Sequence, residues 1–91
     1  SIEHKVNLLF KEVSNAFMNN KQIDKLEFLK KYFNLRYVCI SRIRMLNNSK
    51  LDGMLKYEIP KNLNYNKARK VLKKQYQTYV NILDNAMKLI I

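Results

Sequence analysis

The sequence predicts an all-α protein, an antiparallel three-helix bundle, and three observations carry that expectation. Helix breakers are scarce: there is one Gly and one Pro in 91 residues, of which 47% are apolar. A sheet protein would need turn residues about every 8–12 positions. Apolar residues recur at spacings of three and four in three separate stretches. The segments between them are rich in Asn or hold the single Pro, and short connections between amphipathic helices favour antiparallel neighbours. One domain spanning 1–91 accounts for the length, with a modest core. Because the chain opens at Ser1, it reads as a domain excised from a longer protein.

The first helix is expected over about 2–18. Ile2, Val6, Leu9, Val13, Ala16 and Phe17 make one stripe, with Glu3, Lys5, Lys11 and Glu12 off it. Asn19-Asn20 suits a turn, because Asn tolerates left-handed backbone geometry. The second helix is expected from near Gln22 to about 56, through Ile23, Leu26, Leu29, Tyr32, Phe33, Leu35, Cys39, Ile43 and Leu46, then Leu51, Met54 and Leu55. Asn47-Asn48-Ser49 is its weak point, where Ser49 and Asp52 could start a new turn as a capping box. Pro60 stops it by pushing the preceding residue out of the α region. The third helix follows a loop over 59–66, with Asn64 or Asn66 as N-cap. Its stripe is Ala68, Leu72, Tyr76, Tyr79, Leu83, Ala86 and Ile90. The apolar end, Met87 and Leu89 to Ile91, reads as packing against the first helix.

The formal charge of +11 directs the chain towards acidic partners: a nucleic acid, an anionic membrane face or an acidic protein. Lys and Asn suggest AT-biased coding, which weakens any functional reading of the lysine count. A single cysteine, Cys39, excludes an internal disulfide and points to a reducing, cytoplasmic setting. Cys39 falls on the second stripe and reads as a small core residue. One His and one Cys cannot supply the usual ligands of a zinc site. One Gly excludes a phosphate-binding loop or a dinucleotide fingerprint. No apolar run is long enough for a membrane span. The expectation is a binding domain without cofactors, not an enzyme.

The start of the third helix is the most informative stretch. Residues 60–79 carry six basic side chains and no acid. Arg69, Lys73, Tyr76 and Gln77 share one side, with Lys70 and Lys74 beside them. An Arg fork and a Gln amide on one face can grip carboxylates and backbone groups of a partner. The bland alternative is a solvated lysine-rich face. Cations at a helix N-terminus oppose the macrodipole, which leans the balance towards binding.

Ala68-Arg69-Lys70-Val71-Leu72-Lys73-Lys74-Gln75-Tyr76-Gln77, followed by Leu83-Asp84, resembles the third helix of the BAG domain, a three-helix co-chaperone module. The Arg-to-Gln and Gln-to-Asp intervals agree with that family. Leu51-Asp52 resembles its Leu-Asp near the end of the second helix, and the loop at Pro60 resembles a connection in some members. The resemblance is most specific over 66–84 and loose over the first helix. It implies binding to the nucleotide-binding domain of a DnaK-type heat-shock chaperone and acceleration of nucleotide release. Asp52, Arg69, Lys70, Lys74 and Gln77 would face that partner, with Arg69 exposed. The sequence departs from the family at Arg42, where members often have an acid, and in a longer loop after Asp52. Three other readings remain: nucleic-acid binding, with Tyr76 and Tyr79 adding stacking, a groove for acidic peptides lined by Tyr65 and Tyr76, and a fragment whose only role is packing within a longer chain.

Overall fold

A computed structural model of the chain describes residues 1–48 and 64–91. Within them the chain is a three-helix bundle of α1 (Ile2–Met18), α2 (Lys25–Asn47) and α3 (Tyr65–Ile90). The ends of α1 and α3 meet, as Val13, Ala16, Leu89 and Ile90 border one cleft. Tyr32 near the start of α2 reaches Asp84 near the end of α3, and Arg69 at the start of α3 reaches Leu46 at the end of α2. These contacts define an up-down-up, antiparallel arrangement. α3 packs against both other helices, while α1 touches α2 more lightly.

Local chemistry accounts for the helix ends. Ser1 caps α1, its hydroxyl accepting the His4 N–H. The Asn19-Asn20 turn forms as expected, with Asn20 at φ 52°, a left-handed conformation that Asn tolerates. α2 starts at Lys25, three residues later than the periodicity suggests. Asp24 is its N-cap and accepts the Glu27 N–H at 3.1 Å, which is half of a capping box. Ile23 before the cap and Phe28 four residues after it both join the core cluster, in the positions of a hydrophobic staple. Asn64 caps α3, its side chain accepting from Asn66 N–H at 3.0 Å and Lys67 N–H at 3.3 Å.

The expected continuous helix to 56 is corrected. α2 closes at Asn47, and Asn48 turns extended at ψ 104°. Two successive Asn residues whose amides compete for backbone hydrogen bonds favour termination here. The expected roles of Leu51, Asp52, Met54, Leu55 and Pro60 lie outside the described residues.

The core is built from Val6, Leu9 and Val13 of α1, Phe28, Tyr32, Leu35, Cys39 and Leu46 of α2, and Ala68, Tyr76, Tyr79, Val80, Leu83 and Ala86 of α3. The α1 and α3 stripes largely match expectation, with Val80 added. On α2 the fully buried Phe28 was absent from the expected stripe, whereas the expected Leu26 and Phe33 are exposed, as is Phe17 of α1. Met87, Leu89 and Ile90 pack on the cluster as anticipated, while Ile91 is exposed. Each large side chain taken out of water contributes about 1.5–3 kcal/mol before entropy is counted.

α1 is 17 residues long, against 23 in α2 and 26 in α3. Glu3 in its first turn interacts with Tyr79, well inside α3. The α2–α3 pair therefore continues past the start of α1 as a two-helix arm, and the overall extents are 47 × 21 × 17 Å.

Candidate partner-binding face

The arm carries the charge. Among the described residues, 37–48 and 64–83 contain Arg42, Arg44, Lys67, Arg69, Lys70, Lys73 and Lys74 and no acid. The described acids lie outside these stretches, and three of them meet cations there: Lys31 lies 3.9 Å from Glu12 and 3.5 Å from Glu27, and Arg36 lies 3.2 Å from Asp84. The net charge is thus concentrated towards one end of the bundle.

The sequence-predicted residues separate into three groups. Lys70, Lys74 and Gln77 are exposed, and their i, i+4, i+7 spacing places them in one row along α3. Arg69 departs from expectation: it is half-buried, and its Nη2 donates to the Leu46 carbonyl. The last carbonyls of a helix have no partner within it and sit at the negative end of its macrodipole, so a cation there is favourable. Arg69 lies at the wrong end of its own helix and at the right end of its antiparallel neighbour. Asp52 lies outside the described residues.

Leu46 and Asn47 border a cleft of about 400 Å³ with Asn66, Arg69, Lys70 and Lys73. Several cationic stems thus gather where α2 presents its carbonyl end. The arrangement can attract and orient an anionic surface, and Gln77 adds an amide at the end of the exposed row.

Tyr32, Tyr76 and Tyr79 point inward. Tyr76 and Tyr79 are buried and meet edge to face at a centroid distance of 5.8 Å. The Tyr79 hydroxyl accepts from Gln75 at 2.7 Å, and burial is the main cause raising its pKa. Tyr65 is exposed. Tyr32 donates its hydroxyl to Asp84 Oδ1 at 2.6 Å, the same oxygen that accepts from Arg36 Nε at 3.2 Å. Its pKa is raised, first by burial and then by the Asp84 carboxylate. Asp84, singled out for its interval from Gln77, therefore ties α3 to α2, a partnership that local spacing could not reveal.

Cys39 is fully buried, as expected, and burial pushes its thiol upward. That opposes the thiolate form needed for nucleophilic chemistry. Among the described residues no group of three or more His, Cys, Asp or Glu could hold a metal ion, and no helix is long and apolar enough to cross a membrane.

Fold and face together define a basic helical bundle with most of the net charge of its described residues on a two-helix arm. No protein-family model, curated protein or solved structure matches the chain.

Proposed function

We propose that the chain is a binding domain of BAG type that engages the nucleotide-binding domain of a DnaK-type heat-shock chaperone and promotes nucleotide release. The observation that carries this reading is the exposed row Lys70, Lys74 and Gln77 on the last helix of an antiparallel three-helix bundle. The family resemblance itself rests on residue spacing. In this arrangement Arg69 braces the junction of α2 and α3, and the row beside it meets acidic and polar groups of the partner. Promotion of nucleotide release follows if the domain binds the open chaperone more tightly than the nucleotide-closed form. About 1.4 kcal/mol of preference shifts that equilibrium tenfold.

Calorimetry with an isolated nucleotide-binding domain, alongside release of a fluorescent ADP analogue, tests the reading. The unmodified chain is expected to bind and to accelerate release. Lys74→Glu and Gln77→Ala together are expected to weaken binding about tenfold or more, the order set by losing one or two charge-assisted contacts, with helicity unchanged. No binding by the unmodified chain, or equal binding by the double variant, rejects the proposal.

The acid-free arm favours a second reading, docking on nucleic acid. Burial of Tyr76 and Tyr79 removes the stacking platform this reading drew on, leaving phosphate contacts alone. A DNA or RNA duplex bound with a steep salt dependence, together with no response to the chaperone domain, would put it first.

A further inference from the structure

α2 is apolar on two opposite sides. Its inner seam, Phe28, Tyr32, Leu35, Cys39 and Leu46, is in the core. At 100° per residue, Leu26, Lys30, Phe33, Tyr37, Ile40 and Arg44 follow each other at alternating intervals of four and three and form a second seam on the outer side, with Ile40 at its edge, half-buried against the core. Leu26 is 65% exposed, Phe33 61% and Tyr37 73%. α1 and α3 cover the inner side, so these three large apolar side chains stand in one exposed row, of the kind that marks an interaction surface. Phe33, Tyr37 and Ile40 border a cleft of about 360 Å³ with Arg36, Ser41 and Arg44.

We propose that this outer seam docks a separate amphipathic helix with acidic side chains, independently of the α3 row. The four-three alternation is the register in which one helix receives the knobs of another. Within it, Leu26, Phe33 and Ile40 hold one set of positions, while Lys30, Tyr37 and Arg44 hold the other. The two cations stand two heptads apart, so the matching helix carries acids at that separation and large apolar residues between them.

A second copy of this chain fits the seam poorly. Parallel pairing sets Lys30 against Lys30 and Arg44 against Arg44. Antiparallel pairing places each of these cations opposite an apolar residue. Either way it joins two bodies of charge +11, and like charges at such positions oppose association.

The probe is a designed helical peptide of about three heptads, with leucine on its contact face and glutamates placed opposite Lys30 and Arg44. Its control replaces the glutamates with lysines. Fluorescence anisotropy with the full chain is expected to show binding of the acidic peptide only. Phe33→Ser with Tyr37→Ser is expected to weaken it about tenfold or more, on the order of one lost apolar anchor, with unchanged circular dichroism. Lys74→Glu with Gln77→Ala, the pair chosen to disrupt chaperone binding, is expected to leave it intact, so the two proposals can fail separately. Equal binding of the lysine peptide, retained binding by the Phe33/Tyr37 variant, or no binding at all overturns the inference. So does a dimer in sedimentation equilibrium that the Phe33/Tyr37 substitutions disperse, since the occupant would then be a second copy.

Discussion

Arg69 exchanges the solvent it was expected to face for the carbonyl of Leu46, which gives it a measurable structural role. Arg69→Ala is expected to cost about 1–2 kcal/mol in urea unfolding, the range for a charge-assisted hydrogen bond lost from a partly buried site. Lys74→Ala on the exposed row should stay within about 0.5 kcal/mol. Equal costs for the two would remove the bracing role. Tyr32, Cys39 and Tyr79 all have raised pKa values, with burial the largest cause. Their neutral forms are favoured in the folded state, so this contribution is complete at neutral pH. It is lost as pH climbs past the ordinary thiol and phenol values towards the raised ones. The urea midpoint is expected to hold through neutrality and fall above about pH 9, and Tyr79→Phe should blunt the fall. A midpoint indifferent to alkali would contradict it.

Helix ends carry the next set of consequences. Asp24, with Ile23 before it and Glu27 and Phe28 after it, is a start signal written in consecutive residues, and it outweighs the apolar periodicity that placed the start near Gln22. Asp24→Ala is expected to cost about 1 kcal/mol by the loss of an N-cap, read from thermal unfolding. The left-handed Asn20 joins α1 to α2. Asn20→Gly should be tolerated, whereas Asn20→Val should cost about 1–2 kcal/mol, the penalty of that conformation for an ordinary residue. A neutral valine there would mean that the turn has another geometry. α2 ends at Asn47 because two Asn residues arrive together and the chain turns extended at Asn48.

Charge is the dominant property of the molecule as a body. A net +11 is opposed by only a few ion pairs among the described residues, all partly exposed, and exposed pairs of this kind contribute about 0–1 kcal/mol. Self-repulsion, concentrated on the arm, should therefore outweigh them. Raising sodium chloride from about 0.02 to 0.5 M shortens the screening length from roughly 20 Å to a few ångströms. The unfolding temperature is expected to rise as a result. A fall would mean that the ion pairs matter more than the repulsion. The same concentration of positive charge would speed encounter with any acidic partner, and that gain should disappear with salt.

Helix number and the bounds of α1 and α3 follow from properties that neighbours along the chain share: a period near 3.6, scarce breakers, and Asn at the turn and cap. The core positions of Val6, Leu9, Cys39 and Leu83 are set by the same arithmetic. It could not choose between the two apolar sides of α2, because both satisfy one period and only the packing of α1 and α3 selects Phe28 over Phe33. Nor could it assign Arg69 or Asp84, whose partners lie on another helix, 23 and about 50 residues away. A local pattern records which way a side chain points from its own axis. What waits there depends on the antiparallel return of the chain, which brings the positive start of one helix to the negative end of another.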